Sequence, residues 1–218
     1  MLIELNNISK SFYKKNSSGN TSKHEVLKKI NLKINKGDFF AFEGINGCGK
    51  TTLQKIIKNI IYPDGGCLIM GNGMDSSKIS YVSQNIRSFF LNLSLEKNIN
   101  FFLGHQEGIL CDEYKNHLLR GFNLLEHKET KVSNMSSGQV KKLSIIRGLL
   151  LKPKLLLLDE PFTFLDKNSK DFLLAELRES ILKKHILGVI WATHDKNEVD
   201  KLFTRHILIE QMQLVEKK

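Results

Sequence analysis

The sequence predicts an α/β fold with a mainly parallel core, a small antiparallel β-subdomain and an inserted helical subdomain. Three observations predict it. A strand, a glycine-rich turn and an amphipathic helix follow one another over residues 38–62. The continuous apolar run at residues 155–158 has the pattern of a strand covered on both faces. Strands and helices then alternate to the end of the chain, which is the order of a parallel sheet.

Taken in order, residues 2–5 and 26–34 read as strands, the second alternating Ile30, Leu32 and Ile34 with Asn31 and Lys33 as a half-buried strand does. Between them, residues 14–23 are rich in Asn, Ser, Gly and Lys and read as a mobile loop. A third strand at 38–43 runs into the glycines of 44–49. Leu53, Ile56, Ile57 and Ile60 then mark a helix that ends before Pro63. Short strands follow near 67–70 and 78–83, and the pattern is mostly helical from about 84 to 151. The sheet resumes at 155–158 and 186–192, and a closing hairpin pairs 207–209 with 213–215 across a turn that lacks glycine. The expected organisation is one domain, with a core of 1–84 and 152–218 and a helical subdomain of about 85–151.

At 218 residues and 41% hydrophobic, the chain is long enough for one full-sized core. Cys48, Cys67 and Cys111 are odd in number and widely spaced, unlike a metal or disulfide framework, and suit a reducing compartment. The first residues have neither the basic lead nor the apolar stretch of a signal peptide, and no apolar run approaches the ~20 residues of a membrane span. Work at a membrane would therefore need a partner chain. The formal charge is +10, but the basic pairs at 28–29, 141–142, 183–184 and 217–218 are scattered, so no nucleic-acid partner is expected.

Residues 44–51, Gly-Ile-Asn-Gly-Cys-Gly-Lys-Thr, fit G-x-x-x-x-G-K-[ST]. In that pattern backbone N–H groups around Gly44, Asn46, Gly47, Cys48 and Gly49 wrap a phosphate, and the helix that carries Thr51 and Thr52 offers its positive end. Lys50 is expected to reach the β- and γ-phosphates of a bound nucleotide, and Thr51 the Mg²⁺. A glycine-rich turn with a surface lysine is the alternative, and it does not require the flanking strand and helix that are present here.

Asp159 and Glu160 close the apolar strand, and ligands of such sheets gather at the carboxyl ends of strands. Asp159 can hold Mg²⁺ while Glu160 orients and deprotonates the attacking water; an acidic pair there can also be a helix cap. Phosphoryl transfer calls for more groups around the γ-phosphate than the loop supplies. Gln84, after one strand, can touch Mg²⁺ and the lytic water, and His194, after another, can bond the γ-phosphate. Ser136 and Gln139 have capping-box spacing at the head of a helix, which either caps that helix or presents it to an anion.

In their order, these motifs resemble the ABC ATPases across essentially the whole chain, with residues 163–166, Thr-Phe-Leu-Asp, completing the set. The resemblance implies a P-loop NTPase (RecA-like) core and the hydrolysis of MgATP. It also implies that Ser136, Gly138 and Gln139 meet the γ-phosphate held by a second copy or a homologous ATPase subunit in a head-to-tail dimer. It assigns the adenine stack to Phe12 or Tyr13, of which Phe12 fits the family register better, and the docking of separate integral membrane subunits to the region of Phe89, Phe90, Phe101 and Phe102, for which core packing is the alternative. The chain is then expected in the cytoplasm, on the inner face of the membrane. Two departures from the family's Leu-Ser-Gly-Gly-Gln are Met135, a volume-conserving change, and Ser137, which adds a Cβ where backbones approach closely. Short length and the residues after Glu160 resemble compact exporter-type cassettes, including those of haem export. A soluble ABC-type ATPase of repair, cluster assembly or translation is the alternative, although the coiled-coil insertion or doubled cassette of such proteins is not seen.

Overall fold

The computed structural model describes residues 1–15, 19–84, 88–104, 109–195, 203 and 205–217. In chain order they form β1 (Ile3–Lys15), β2 (Thr21–Ile34), β3 (Asp38–Glu43), α1 (Lys50–Ile57), β4 (Gly65–Met70) and β5 (Ile79–Val82). Then come α2 (Leu95–Leu103), α3 (Ile109–Gly121), α4 (Ser137–Leu150), β6 (Leu155–Asp159), α5 (Lys167–Leu182), β7 (Gly188–Thr193), β8 (Arg205–Glu210) and β9 (Gln213–Lys217). Two compact units result. The first takes Met1–Tyr81, Lys154–Asp159 and Leu187–Lys218; the second takes Val82–Pro153 and Glu160–Ile186.

The first unit carries a three-stranded sheet ordered β2-β1-β4 and the six-stranded sheet ordered β5-β6-β7-β3-β8-β9. In the second sheet β6–β7, β7–β3 and β3–β8 pair in parallel and β8–β9 is antiparallel, while β1 pairs antiparallel with both its neighbours. The mainly parallel core and the small antiparallel sheet are thus as the sequence predicts. Every residue of β6 and β7 is buried, which is why these segments read as unbroken apolar runs rather than alternating ones. Leu5, Leu27 and Ile34 of the small sheet share one core with Phe40, Leu157 and Ile190 of the large sheet and with Leu53 and Ile57 of α1. Burying each such side chain is worth about 1.5–3 kcal/mol, so the head of α1 is set in place by the apolar stripe behind it.

Three local expectations change. Residues 14–23 are not simply a loop: β1 and β2 stay paired out to Lys14↔Ser22 and Lys15↔Thr21. This end of the hairpin is exposed on both faces, so it carries no alternating apolar signal. Helix α1 stops at Ile57 instead of continuing towards Pro63, because Asn59 turns left-handed at φ 63. There Asn59 N donates to Ile56 O (2.9 Å) and Ile60 N to Lys55 O (2.8 Å), the paired bonds of a Schellman stop. The β8–β9 turn does without glycine by placing both Gln211 (φ 47) and Met212 (φ 66) left-handed, as a tight two-residue hairpin requires.

The second unit is helical. Most of α4 is buried, from Val140 to Leu150, and α5 belongs to this unit although it lies outside the 85–151 stretch. Phe122 and Phe172 meet edge to face at 4.9 Å, and a Cβ at Gly121 would overlap the Phe172 ring, so the end of α3 packs on α5 through the smallest side chain. Among the described residues no helix is long and apolar enough to cross a membrane.

Candidate functional site

In the first unit the glycine-rich loop links β3 to α1. Gly44 has φ 153, and a Cβ there would lie 2.6 Å from Cys48 Sγ and 2.9 Å from Ile209 O. Gly49, the N-cap of α1, has φ 113, and its Cβ would lie 2.9 Å from Leu27 Cδ2. Both positions need glycine for conformation and for space. No side chain caps α1, so the backbone N–H groups of its first turn are left for a ligand.

Lys50 is buried and folds over its own loop, its Nζ donating to Gly44 O at 2.6 Å and Ile45 O at 3.1 Å. Next to it Thr51 Oγ1 donates to Asp159 Oδ2 at 2.8 Å, across 108 residues of sequence. Tyr81 OH donates to the same oxygen at 2.9 Å. The fully buried Gln54 ties α1 to the sheet, donating from Nε2 to Leu158 O (3.1 Å) and Ile190 O (3.4 Å). Tyr81 and Gln54 are the residues that sequence reasoning missed. Gln54 did leave a signal, since it is a polar residue one helical turn after Lys50 beside the apolar Leu53.

A cavity of about 960 Å³ opens on this loop, lined by residues 44–48, 23–26 and 208–212 with Glu43 and His194. His194 is exposed at the end of β7, where Thr193 Oγ1 accepts from Asp195 N at 3.0 Å and shapes the turn. Phe12 is 40% exposed, with Lys10 Nζ 5.7 Å from its ring centre. It is not among the lining residues; His24, its partner across the β1–β2 ladder, is. The unit therefore gathers residues 44–52, Asp159 and His194.

Gln84, Glu160 and Ser136–Gly138–Gln139 belong to the second unit. Gln84 is exposed just beyond β5. Glu160 follows Asp159 in the chain and is buried in the left-handed conformation at φ 48, with its carbonyl accepting from Thr163 N at 3.3 Å. Such strain in a non-glycine residue costs of order 1–3 kcal/mol and is concentrated at functional sites. Ser136 caps α4 in a complete capping box: Ser136 Oγ accepts from Gln139 N (3.2 Å) and Gln139 Oε1 accepts from Ser136 N (2.9 Å). Ser137 is the first helical residue and exposed. At Gly138, by contrast, a Cβ would lie 2.9 Å from Phe164 O. Of the two glycines in the family's motif, this chain retains the one whose surroundings leave no room.

Asp166 caps α5, accepting from Ser169 N at 2.9 Å, and pairs with Lys142 of α4 at 2.6 Å. The Lys142 ammonium, followed by the Ser169 amide, holds the Asp166 carboxyl well below the usual carboxylate range. A carboxyl depressed on folding adds stability above its unfolded pKa and loses it as the pH falls through the folded value. Asp166→Ala is accordingly expected to cost about 1 kcal/mol at neutral pH, the usual worth of an N-cap, and progressively less in acid. Equal urea midpoints for wild type and variant at pH 7 would contradict this.

A family model described as ABC transporter matches residues 27–163. The ergothioneine transport ATP-binding protein EgtV of Helicobacter pylori is 35% identical over 208 residues, covering 90% of this chain and 96% of that protein. The spermidine/putrescine import ATP-binding protein PotA of Fusobacterium nucleatum is 36% identical over 184 residues, covering 80% of this chain; the chain spans about half, 48%, of that relative's length. Among solved structures, an ATP-binding subunit of an ABC transporter superposes with a TM-score of 0.86 at 21% identity, covering all of this chain and 90% of the other. The dimeric ATP-binding cassette MJ0796 bound to ADP and Pi superposes with a TM-score of 0.83 at 24% identity, covering 100% and 98%. These two likenesses show the same fold. The exporter-type expectation has no counterpart among the relatives named, which are described as import or transport proteins.

Proposed function

This chain belongs to the ABC transporter family, and on that premise we propose that it is an ATP-binding subunit that binds MgATP over residues 44–52 and hydrolyses it to drive transport through separate membrane subunits. The observation that supports the site assignment is the Thr51–Asp159 bond of 2.8 Å, which ties the acidic end of β6 to the first turn of α1, where Lys50 precedes Thr51.

The residues have matching chemistry. Loop N–H groups and the head of α1 receive the β-phosphate, and Lys50 exchanges its bonds to Gly44 O and Ile45 O for the phosphate oxygens. Thr51 and Asp159 present oxygen donors, with Gln84 as a third, and this set suits Mg²⁺, which keeps few protein ligands beside substrate phosphates. When bound, Mg²⁺ neutralises charge on the β- and γ-phosphate oxygens. Glu160 accepts a proton from the attacking water as the water oxygen bonds to the γ-phosphorus and the bond from that phosphorus to the β,γ-bridging oxygen breaks, leaving ADP and phosphate. His194 donates a hydrogen bond to the γ-phosphate, and Phe12 supplies a face for adenine.

In the proposed assembly two copies, or this chain and a homologous subunit, close head to tail, so that Ser136, Gly138 and Gln139 of each meet the γ-phosphate on the other. The membrane subunits hold the chain at the inner face of the membrane. Their proposed seat is the cluster of Phe90, Leu91 and Phe101, which are 45%, 59% and 61% exposed. Beneath it Phe89 and Phe102 pack against Arg147, whose guanidinium lies 4.6 and 4.7 Å from their ring centres. An exposed aromatic cluster on a rigid base favours a transporter over a soluble ATPase, since such patches mark partner sites.

Cys48 provides a direct test of the nucleotide seat, because it is half-buried in the loop and lines the cavity. MgATP is expected to slow maleimide labelling of Cys48 by about tenfold or more, as it would for a thiol whose access the ligand blocks. Mass spectrometry of the labelled peptide reads the rate, and labelling indifferent to nucleotide would count against the site.

A further inference from the structure

We infer that Glu43 and His206 form a brace that sets the position of the phosphate loop, which makes both of them positioning residues for nucleotide binding. Glu43 is the last residue of β3 and the chain neighbour of Gly44; it is only 4% exposed and lines the cavity. A buried carboxylate at the edge of a seat for a polyanion is costly unless paired, and its own charge opposes the ligand. One partner is on β8: His206 Nδ1 lies 2.7 Å from Glu43 Oε1, the ring donating to the carboxylate. In the parallel ladder His206 stands opposite Ala41 and Glu43 opposite Leu208, so the bond runs diagonally and resists sliding of β3 against β8.

That sliding matters because β8 also touches the loop. Space at Gly44 is bounded by Ile209 O and Cys48 Sγ, and the Gly44 carbonyl is the nearer of the two that hold Lys50 Nζ. A slip of a few tenths of an ångström between the strands would therefore shift the backbone that wraps the phosphates and the resting place of the lysine. The neighbouring Arg205 is engaged separately, with Asp38 at 3.2 Å and Glu216 at 2.6 Å, so it does not substitute for His206.

The inference rests on the reading of residues 44–52 as the nucleotide seat, and the test separates the two. MgATP binding is measured by calorimetry and turnover by steady-state kinetics on the full chain carrying Glu43→Ala, His206→Ala, the pair together, Glu43→Gln, and Lys50→Ala as control. Each alanine variant is expected to raise Kd and KM roughly ten- to a hundredfold, the effect of stripping one partner from a buried charged hydrogen bond, with kcat at saturation little changed. The double variant should lose no more than Glu43→Ala alone, since the His206 contact is already gone once Glu43 is cut back. Glu43→Gln keeps an acceptor for the ring and should restore most of the affinity. If Glu43→Ala fails to fold, His206→Ala decides, because His206 is partly exposed and its removal leaves no large cavity. Wild-type Kd in His206→Ala, or a fall in kcat at unchanged KM, would overturn the brace. Tight MgATP binding by Lys50→Ala would overturn the seat itself.

Discussion

Lys50→Ala is expected to reduce ATP turnover by about 10²–10³-fold or more, the loss seen when one preorganised donor to a developing anionic charge is removed. ATP binding should weaken with it, since the ammonium is aimed at the phosphates in the ground state as well. The fold should survive. Among the described residues Lys50 Nζ bonds to carbonyls of its own loop and approaches Cys48 Sγ, whereas α1 is anchored by Leu53, Ile56 and Ile57 in the core and by Gln54 on β6 and β7. Circular dichroism and thermal melting check the fold, and a phosphate-release assay checks the turnover. A folded variant with normal turnover would remove the phosphate-loop assignment.

Glu160→Gln is expected to act differently, lowering turnover by about 10²–10⁴-fold, the usual contribution of a general base, while ATP binding persists. Glutamine has the same shape and can hold the left-handed backbone at φ 48, so the loss would be one of proton acceptance. Asp159 is a different case. Its carboxylate is tied to Thr51 and Tyr81, so Asp159→Asn should disturb the seat as well as the chemistry. The contrast between the two adjacent acids separates a base from a cation-holding residue.

The features legible in the sequence were those whose cause is local. Glycines at 44, 47 and 49 with Lys50 and Thr51 declare a loop because only that spacing lets backbone wrap an anion. The run ending at Asp159 declares a covered strand because both its faces are buried. The capping box at Ser136 and Gln139 was legible for the same reason, since it closes within four residues. What could not be read depends on register between distant segments. Tyr81 shares an oxygen of Asp159 from 78 residues away, and Glu43 meets His206 from 163 residues away. Neither pair has a sequence spacing to betray it. The outer end of the β1–β2 hairpin was missed because its strands are polar on both faces, and α1 was drawn too long because Asn59, which stops it, is a residue that many helices tolerate near their ends.

In the proposed mechanism one chain holds two halves of different sites: a phosphate loop for its own ATP and a Ser136–Gly138 helix end for that of a second subunit. A nucleotide with its γ-phosphate in place would bridge the halves and hydrolysis would release them. The most direct measurement is size-exclusion chromatography with light scattering, with and without ATP, on wild type, Glu160→Gln, and Glu160→Gln combined with Ser136→Arg. Ser136 is exposed, so an arginine there changes the surface without crowding the core. Glu160→Gln is expected to form an ATP-dependent dimer that the added arginine abolishes. A Glu160→Gln protein that binds ATP tightly and remains monomeric, or a dimer indifferent to Ser136→Arg, would contradict it.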